Sequence, residues 1–134
     1  NDFGLATANT LAALGAGAQV ASTALNGMGE RAGCAATEEI AAALLMLYKV
    51  DMGLDLAKFT EASKRLQEYS GVGLQRHKAI VGEGAFAQEA GLVVSGWKEF
   101  PFTAEPYLPE LVGQTHSLML GKKSGKDSIT GQPA

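Results

Sequence analysis

One cysteine, two histidines and no long apolar run set the first bounds on this chain of 134 residues. A lone thiol at Cys34 cannot close an internal disulfide and fits a reducing cytoplasm. No apolar stretch reaches the roughly 18 residues of a spanning helix, and no signal-like pattern opens the residues given. Basic residues are scattered, and a net charge of −3 gives no general affinity for nucleic acid. The expectation is therefore no membrane and no nucleic-acid partner. His77 and His116 stand far apart without a carboxylate at metal-ligand spacing, so neither draws a catalytic role. Internal repeats and low-complexity segments are absent. So is an initiator Met, and Asn1-Asp2-Phe3-Gly4 has no lead-in element, so the chain reads as the closing part of a larger α/β enzyme.

What is present is the makings of one core. Hydrophobic residues are 46% and charged residues 19% of the chain, a globular composition. Seventeen glycines are about twice the usual ~7% share and gather in loops. Leu5, Ala8, Leu11 and Ala12 predict one face of a helix over 5–14, stopped by Gly15-Ala16-Gly17. Residues 18–23 read as a short strand and 26–33 as a loop. Thr37 is an expected N-cap for a helix over 38–50, with Glu38 and Glu39 in its first turn and Ile40, Leu44, Leu47 and Tyr48 on one side. Helix, buried strand, loop, helix is the repeat of a parallel α/β fold.

From Asp51 the character changes, and a boundary is placed there: 1–50 as one part, 51–134 as linker and C-terminal subdomain. Asp55 is expected to cap a charged helix to about Tyr69, stopped at Ser70-Gly71. Residues 76–84 read as a connector and 85–90 as one or two helical turns. The stretch beyond Gly91, with Trp97, Phe100, Phe102, Pro106 and Pro109, reads as irregular. Leu118–Leu120 reads as a short strand before the basic loop Lys122-Lys123-Ser124-Gly125-Lys126.

Four features are candidates to carry chemistry. Asn1-Asp2 before a helix reads first as a cap. Asn26-Gly27-Met28-Gly29-Glu30-Arg31-Ala32-Gly33 combines backbone open to an anion with a guanidinium that clamps carboxylate or phosphate, and with Glu30 to orient it. The alternative is a tight loop stapled by a Glu30–Arg31 pair, and spacing does not choose. Cys34 reads as a small buried residue, with a thiolate ligand or nucleophile as the other possibility. The basic loop is a solvated turn or an anion-binding one.

These residues also carry a resemblance. Asn1-Asp2-Phe3-Gly4-Leu5-Ala6 resembles the segment directly after the His-x-His metal motif in the metal-dependent acyl-CoA Claisen enzymes, the DRE-TIM metallolyases. These are isopropylmalate, homocitrate and citramalate synthases and, more distantly, hydroxymethylglutaryl-CoA lyase. Asn26 to Gly33 is similar to the family's Asn-Gly-x-Gly-Glu-Arg-x-Gly loop. The segments 78–87, 105–113 and 120–126 resemble, in order, the rest of a synthase ending.

The resemblance implies a (β/α)8 barrel, of which 1–50 would be the last quarter, followed by a small, mostly helical subdomain. It implies a divalent metal (Mg, Mn or Zn), bound mainly by residues outside this chain, an acyl-CoA and a 2-oxo acid as substrates, and a homodimer formed through the subdomain. It gives catalysis to Glu30 and Arg31, substrate and CoA binding to Asp2, Asn26, Gly27, Gly29 and Gly33, and a metal-ligand position to Cys34, where the family has Asn. The pattern is departed from at Gln88, Val93, Ala104 and Lys123, where the synthases carry His, His, Tyr and His. Val93 and Ala104 cannot relay protons. A hydroxymethylglutaryl-CoA lyase-like activity, or a catalytically faded member acting as an interaction partner, are the alternatives.

Overall fold

The computed structural model of the chain describes residues 1–126 and 128, the side chains at 91, 92, 97, 98 and 101 excepted. Helix α1 spans Ala6–Gly15. The Asn1 side chain accepts the Ala6 N–H at 3.0 Å, which satisfies one of the donors a helix start leaves open. Its inner side differs from the expected stripe: Thr7, Thr10, Leu11 and Leu14 are half-buried, whereas Leu5, Ala8 and Ala12 are exposed. The helix is turned so that the Thr7 hydroxyl meets the Glu39 carboxylate on the next helix.

Residues 18–23 form neither strand nor helix. A strand exists only against a neighbour, and here the single link is a parallel bridge between Ala24 and Ala36. That bridge leads into helix α2, Thr37–Tyr48. Ala36, not Thr37, occupies the cap position, and no side chain caps it. The Thr37 hydroxyl is instead paired with that of Thr23 at 2.9 Å. The buried side of α2 is Glu38, Ile40, Ala41 and Ala42, while Leu47 and Tyr48, grouped with Ile40 by spacing, face out.

Asp55 caps a 3-10 turn over Leu56–Lys58 rather than the helix itself, accepting the Ala57 N–H at 3.2 Å. Helix α3, Phe59–Ser70, continues from it and stops at Gly71, whose φ of 69° is the left-handed cap a glycine takes without strain. Strand β1 is Ala87–Gln88, where helical turns were expected; helix α4 spans Gly91–Glu99, inside the stretch expected to be irregular; and strand β2 is Ser117–Leu118. The two strands are parallel, in the register Ala87 to Ser117 and Gln88 to Leu118. Pairing with 117–118 holds 87–88 extended, a non-local constraint that local propensity cannot show.

One core joins Ala41 and Ala42 of α2 to Leu56, Phe59, Ile80, Val81, Phe86 and Val112. Phe86 and Tyr107 meet edge to face, ring centres 5.6 Å apart. The Thr60 hydroxyl on α3 donates to the Val112 carbonyl at 2.6 Å. Gly113 comes next at φ +73°, where a Cβ would stand 2.0 Å from the Ala57 carbonyl oxygen, so this approach admits only glycine. Among the described residues no helix is long and apolar enough to cross a membrane.

Candidate functional site

The loop between α1 and α2 is built by its own crossing. After the 3-10 turn Leu25–Gly27, with Asn26 left-handed at φ 61°, the chain runs out through Met28 and Gly29 and returns at Gly33. There the Cys34 N–H donates to the Gly27 carbonyl at 3.0 Å, and the Gly33 N–H to the Glu30 carbonyl at 2.9 Å. At Gly33, φ +79°, a Cβ would stand 2.2 Å from the Gly27 oxygen. The crossing of the two limbs thus accounts for the glycine at this position before any ligand is considered.

Arg31, itself left-handed at φ 53°, turns its guanidinium to Asp2. The contact is two-pronged, with one N–H···O pair at 3.1 Å and the other at 3.4 Å. The Glu30–Arg31 pairing considered from the sequence gives way to a longer-range pair that joins the loop to the chain's start. The Asn1 backbone nitrogen adds a bond to the Gly33 carbonyl at 3.1 Å. Asp2, Arg31 and the loop's turn therefore stand side by side at one exposed corner.

On its other side the loop faces α3. Asn26, Gly27, Gly29, Arg31 and Gly33 line a cleft of about 280 Å³, closed opposite by Leu66, Ser70 and residues 72–74. Asn26 reaches across to this helix, its side-chain amide donating to the Ser63 carbonyl at 3.3 Å. Its backbone N–H donates to the Glu38 carboxylate at 3.0 Å. Glu38 has no exposed surface, and burial raises its carboxyl above the usual range; the Lys78 ammonium opposes that shift and the Glu39 carboxylate adds to it. Lys78 closes an ion pair on Glu39, so the base of α2 carries one buried and one half-buried carboxylate. Sequence reasoning took both glutamates as helix-dipole partners and missed the buried role of Glu38.

Cys34 is half-exposed, and its thiol donates to the Met28 carbonyl at 3.5 Å. Among the described residues no three His, Cys, Asp or Glu side chains converge as a metal site would require. Asp2 and Cys34 are therefore no metal centre by themselves.

Further along, His116, given no partner by spacing, bonds the buried carboxylate of Glu105 at 2.7 Å. Glu105 shares the wall of a second cleft of about 380 Å³ with Gln88 and Ala104, two of the positions at which the synthase pattern is departed from. Val93 and Lys123, the other two, are exposed. In the basic loop the Lys123 N–H donates to the chain's own Glu89 carboxylate at 3.0 Å. The anion this turn holds is internal. Phe100 and Phe102 are exposed and meet edge to face, ring centres 5.4 Å apart; the Trp97 side chain lies outside the described residues.

The HMGL-like family model matches residues 1–66. Similarity to individual proteins extends further along the chain. Homocitrate synthase AksA of Methanocaldococcus jannaschii is 48% identical over 93% of this chain and 31% of its own length. Homocitrate synthase 1 of a Nostoc species is 46% identical over 97% of the chain and 34% of its own length. A 2-isopropylmalate synthase of M. jannaschii is 45% identical over 96% of the chain and 25% of its own length. The chain spans about a third of the length of the first of these curated relatives.

Proposed function

Since the chain belongs to the HMGL-like family through its residues 1–66, we propose that it is part of a metal-dependent enzyme that condenses an acyl-CoA with a 2-oxo acid. The observation that carries this reading is that likeness to homocitrate and isopropylmalate synthases covers 93% or more of the chain, well beyond residue 66. A hydroxymethylglutaryl-CoA lyase-like enzyme would be expected to match the first part alone, because the lyases lack a comparable subdomain. On this reading 1–50 close a (β/α)8 barrel and 51–134 form the linker and subdomain. The protein works in the cytoplasm as a homodimer, with exposed Phe100 and Phe102 at the contact.

Barrel enzymes carry their chemistry on the loops after the strands, and on this reading the Asn26–Gly33 loop, which leads into α2, takes that place once 18–23 pairs within the whole barrel. In the proposed reaction the enolate of the acyl-CoA adds to the ketone carbon of the oxo acid. A carbon–carbon bond forms, and hydrolysis of the thioester then releases CoA thiol. A divalent metal, when bound, polarises the ketone; its coordination needs more donors than the described residues bring together. This chain's share is binding and orientation. Arg31, aligned by Asp2, offers a two-pronged donor to a carboxylate or phosphate, and Glu30 sits beside it on the same loop. Asn26, Gly27, Gly29 and Gly33 shape the wall against which substrate or CoA lies, and Cys34, at the position of the family's Asn ligand, would be the donor this loop offers the metal.

A second reading rests on Val93 and Ala104. With no proton-relaying side chain at either position, a catalytically faded partner protein keeps a foothold. The test is thiol release by the full-length protein from acetyl-CoA with a panel of 2-oxo acids. Release with an oxo acid supports the synthase, and acetyl-CoA formed from a 3-hydroxyacyl-CoA supports a lyase. Neither activity, together with no bound metal, supports the faded partner.

A further inference from the structure

Glu38 is fully buried, at 0% exposure, in the first turn of α2. Keeping an ionisable group out of water costs several kcal/mol unless its bonds offset that, so an apolar residue of like size would fill the space more cheaply. What Glu38 supplies that an apolar residue cannot is an acceptor. One carboxylate oxygen takes the backbone N–H of Asn26 at 3.0 Å, at the left-handed residue where the chain turns into the loop. The Asn26 side chain then donates to Ser63 on α3, at a carbonyl that also accepts the Gln67 amide at 3.3 Å. Asn26 Oδ1, Glu38 Oε1 and Ser63 Oγ are all buried without a hydrogen-bond partner among the described residues. Each such atom costs about 1–3 kcal/mol, so the cluster is poor material for stability alone.

We propose that Glu38 is a positioning residue for the Asn26–Gly33 loop and that, through Asn26, it fastens that loop to helix α3. The mechanical path is short. Fixing Asn26 fixes Gly27, and the Gly27 carbonyl holds the returning limb at Cys34. The segment between, with Glu30 and Arg31, is a closed bend whose base cannot shift independently. The positioning claim rests on the reading of this loop as substrate-facing; the fastening itself does not.

Three variants of the full-length protein separate positioning from packing. Glu38→Gln keeps an acceptor for the Asn26 N–H, Glu38→Met keeps the volume without one, and Asn26→Gly keeps the left-handed turn while deleting the reach to Ser63. Backbone hydrogen exchange is read by mass spectrometry over 24–34, with α1 as internal reference. The expected result is a loss of protection of about tenfold or more over 24–34 in Glu38→Met, against less than about threefold in Glu38→Gln. Wild-type protection in Glu38→Met, or equal losses in the Gln and Met variants, overturns the proposal. Should Glu38→Met fail to fold, Asn26→Gly decides: loop protection falls while α1 is unchanged, or the tie to α3 is refuted. In thiol release, Glu38→Met should raise KM for the oxo acid and Glu38→Gln restore it; equal KM values in both refute the positioning claim. A wild-type protein that releases no CoA would sink the proposed function instead, and the exchange data would still decide the fastening.

Discussion

Arg31 and Asp2 lie 29 positions apart in sequence and meet at 3.1 Å, a carboxylate and a guanidinium sharing two hydrogen-bond lines at an exposed corner. Their side chains are 76% and 54% exposed, and pairs so open to water contribute about 0–1 kcal/mol to folding. The contact therefore bears on orientation more than on stability.

Arg31→Ala should accordingly leave unfolding free energy within about 1 kcal/mol of wild type while raising KM for substrate in thiol release. Arg31→Lys should recover little, since an ammonium cannot reproduce the fork. A collapsed circular dichroism signal, or an unchanged KM, counts against the role assigned to Arg31.

The loop crossing makes a sharp comparison among glycines. Gly33→Ala adds a methyl 2.2 Å from the Gly27 oxygen at a positive φ, and should cost about 2 kcal/mol or more in urea unfolding. Gly53, at φ +69° with open space around it, should lose only about 1 kcal/mol on the same change. Similar losses at both positions would mean that the crossing is not tight.

Glu38 gives the pH dependence a sign. Burial raises its carboxyl above the ordinary 4.5, so the folded chain holds this proton more tightly than the unfolded chain does. The stability linked to it is full below 4.5 and is lost as pH rises through the raised value. Glu38→Gln has nothing to titrate there. Unfolding free energy of wild type relative to Glu38→Gln should fall with rising pH across that window and level off above it. A difference that stays flat or rises with pH contradicts the burial argument.

Thr60→Val matches shape but removes the donor to the Val112 carbonyl, and should cost about 1–3 kcal/mol. Thr10→Val, which deletes a bond from the Thr10 hydroxyl to a carbonyl within α1, should stay below about 0.5 kcal/mol. Equal costs would remove the special standing of the α3 contact.

Much of this architecture is legible in the residues. The Ala-rich run and the acidic first turn of α2 mark two helices to within two residues, and Gly71 marks the end of a third, because caps and propensity act locally. What stays hidden depends on distant partners. Residues 18–23 look like a strand but pair with no strand among the described residues, and 87–88 look helical but are held by 117–118. The rotation of α1 comes from Thr7 meeting Glu39. The candidate loop is visible as a Gly-rich motif, but its pairing of Arg31 with Asp2 and its footing on Glu38 come from contacts that no spacing rule encodes.

The shared core has an evolutionary consequence. Ala41 and Ala42 pack into one cluster with Phe86 and Val112, so the region before Asp51 and the region after it grip each other through small side chains that leave little slack. Recombination between relatives at that junction would mate surfaces that did not adapt together. Viable hybrids should need compensating changes around Ala42, and this stretch of gene should be inherited as a block.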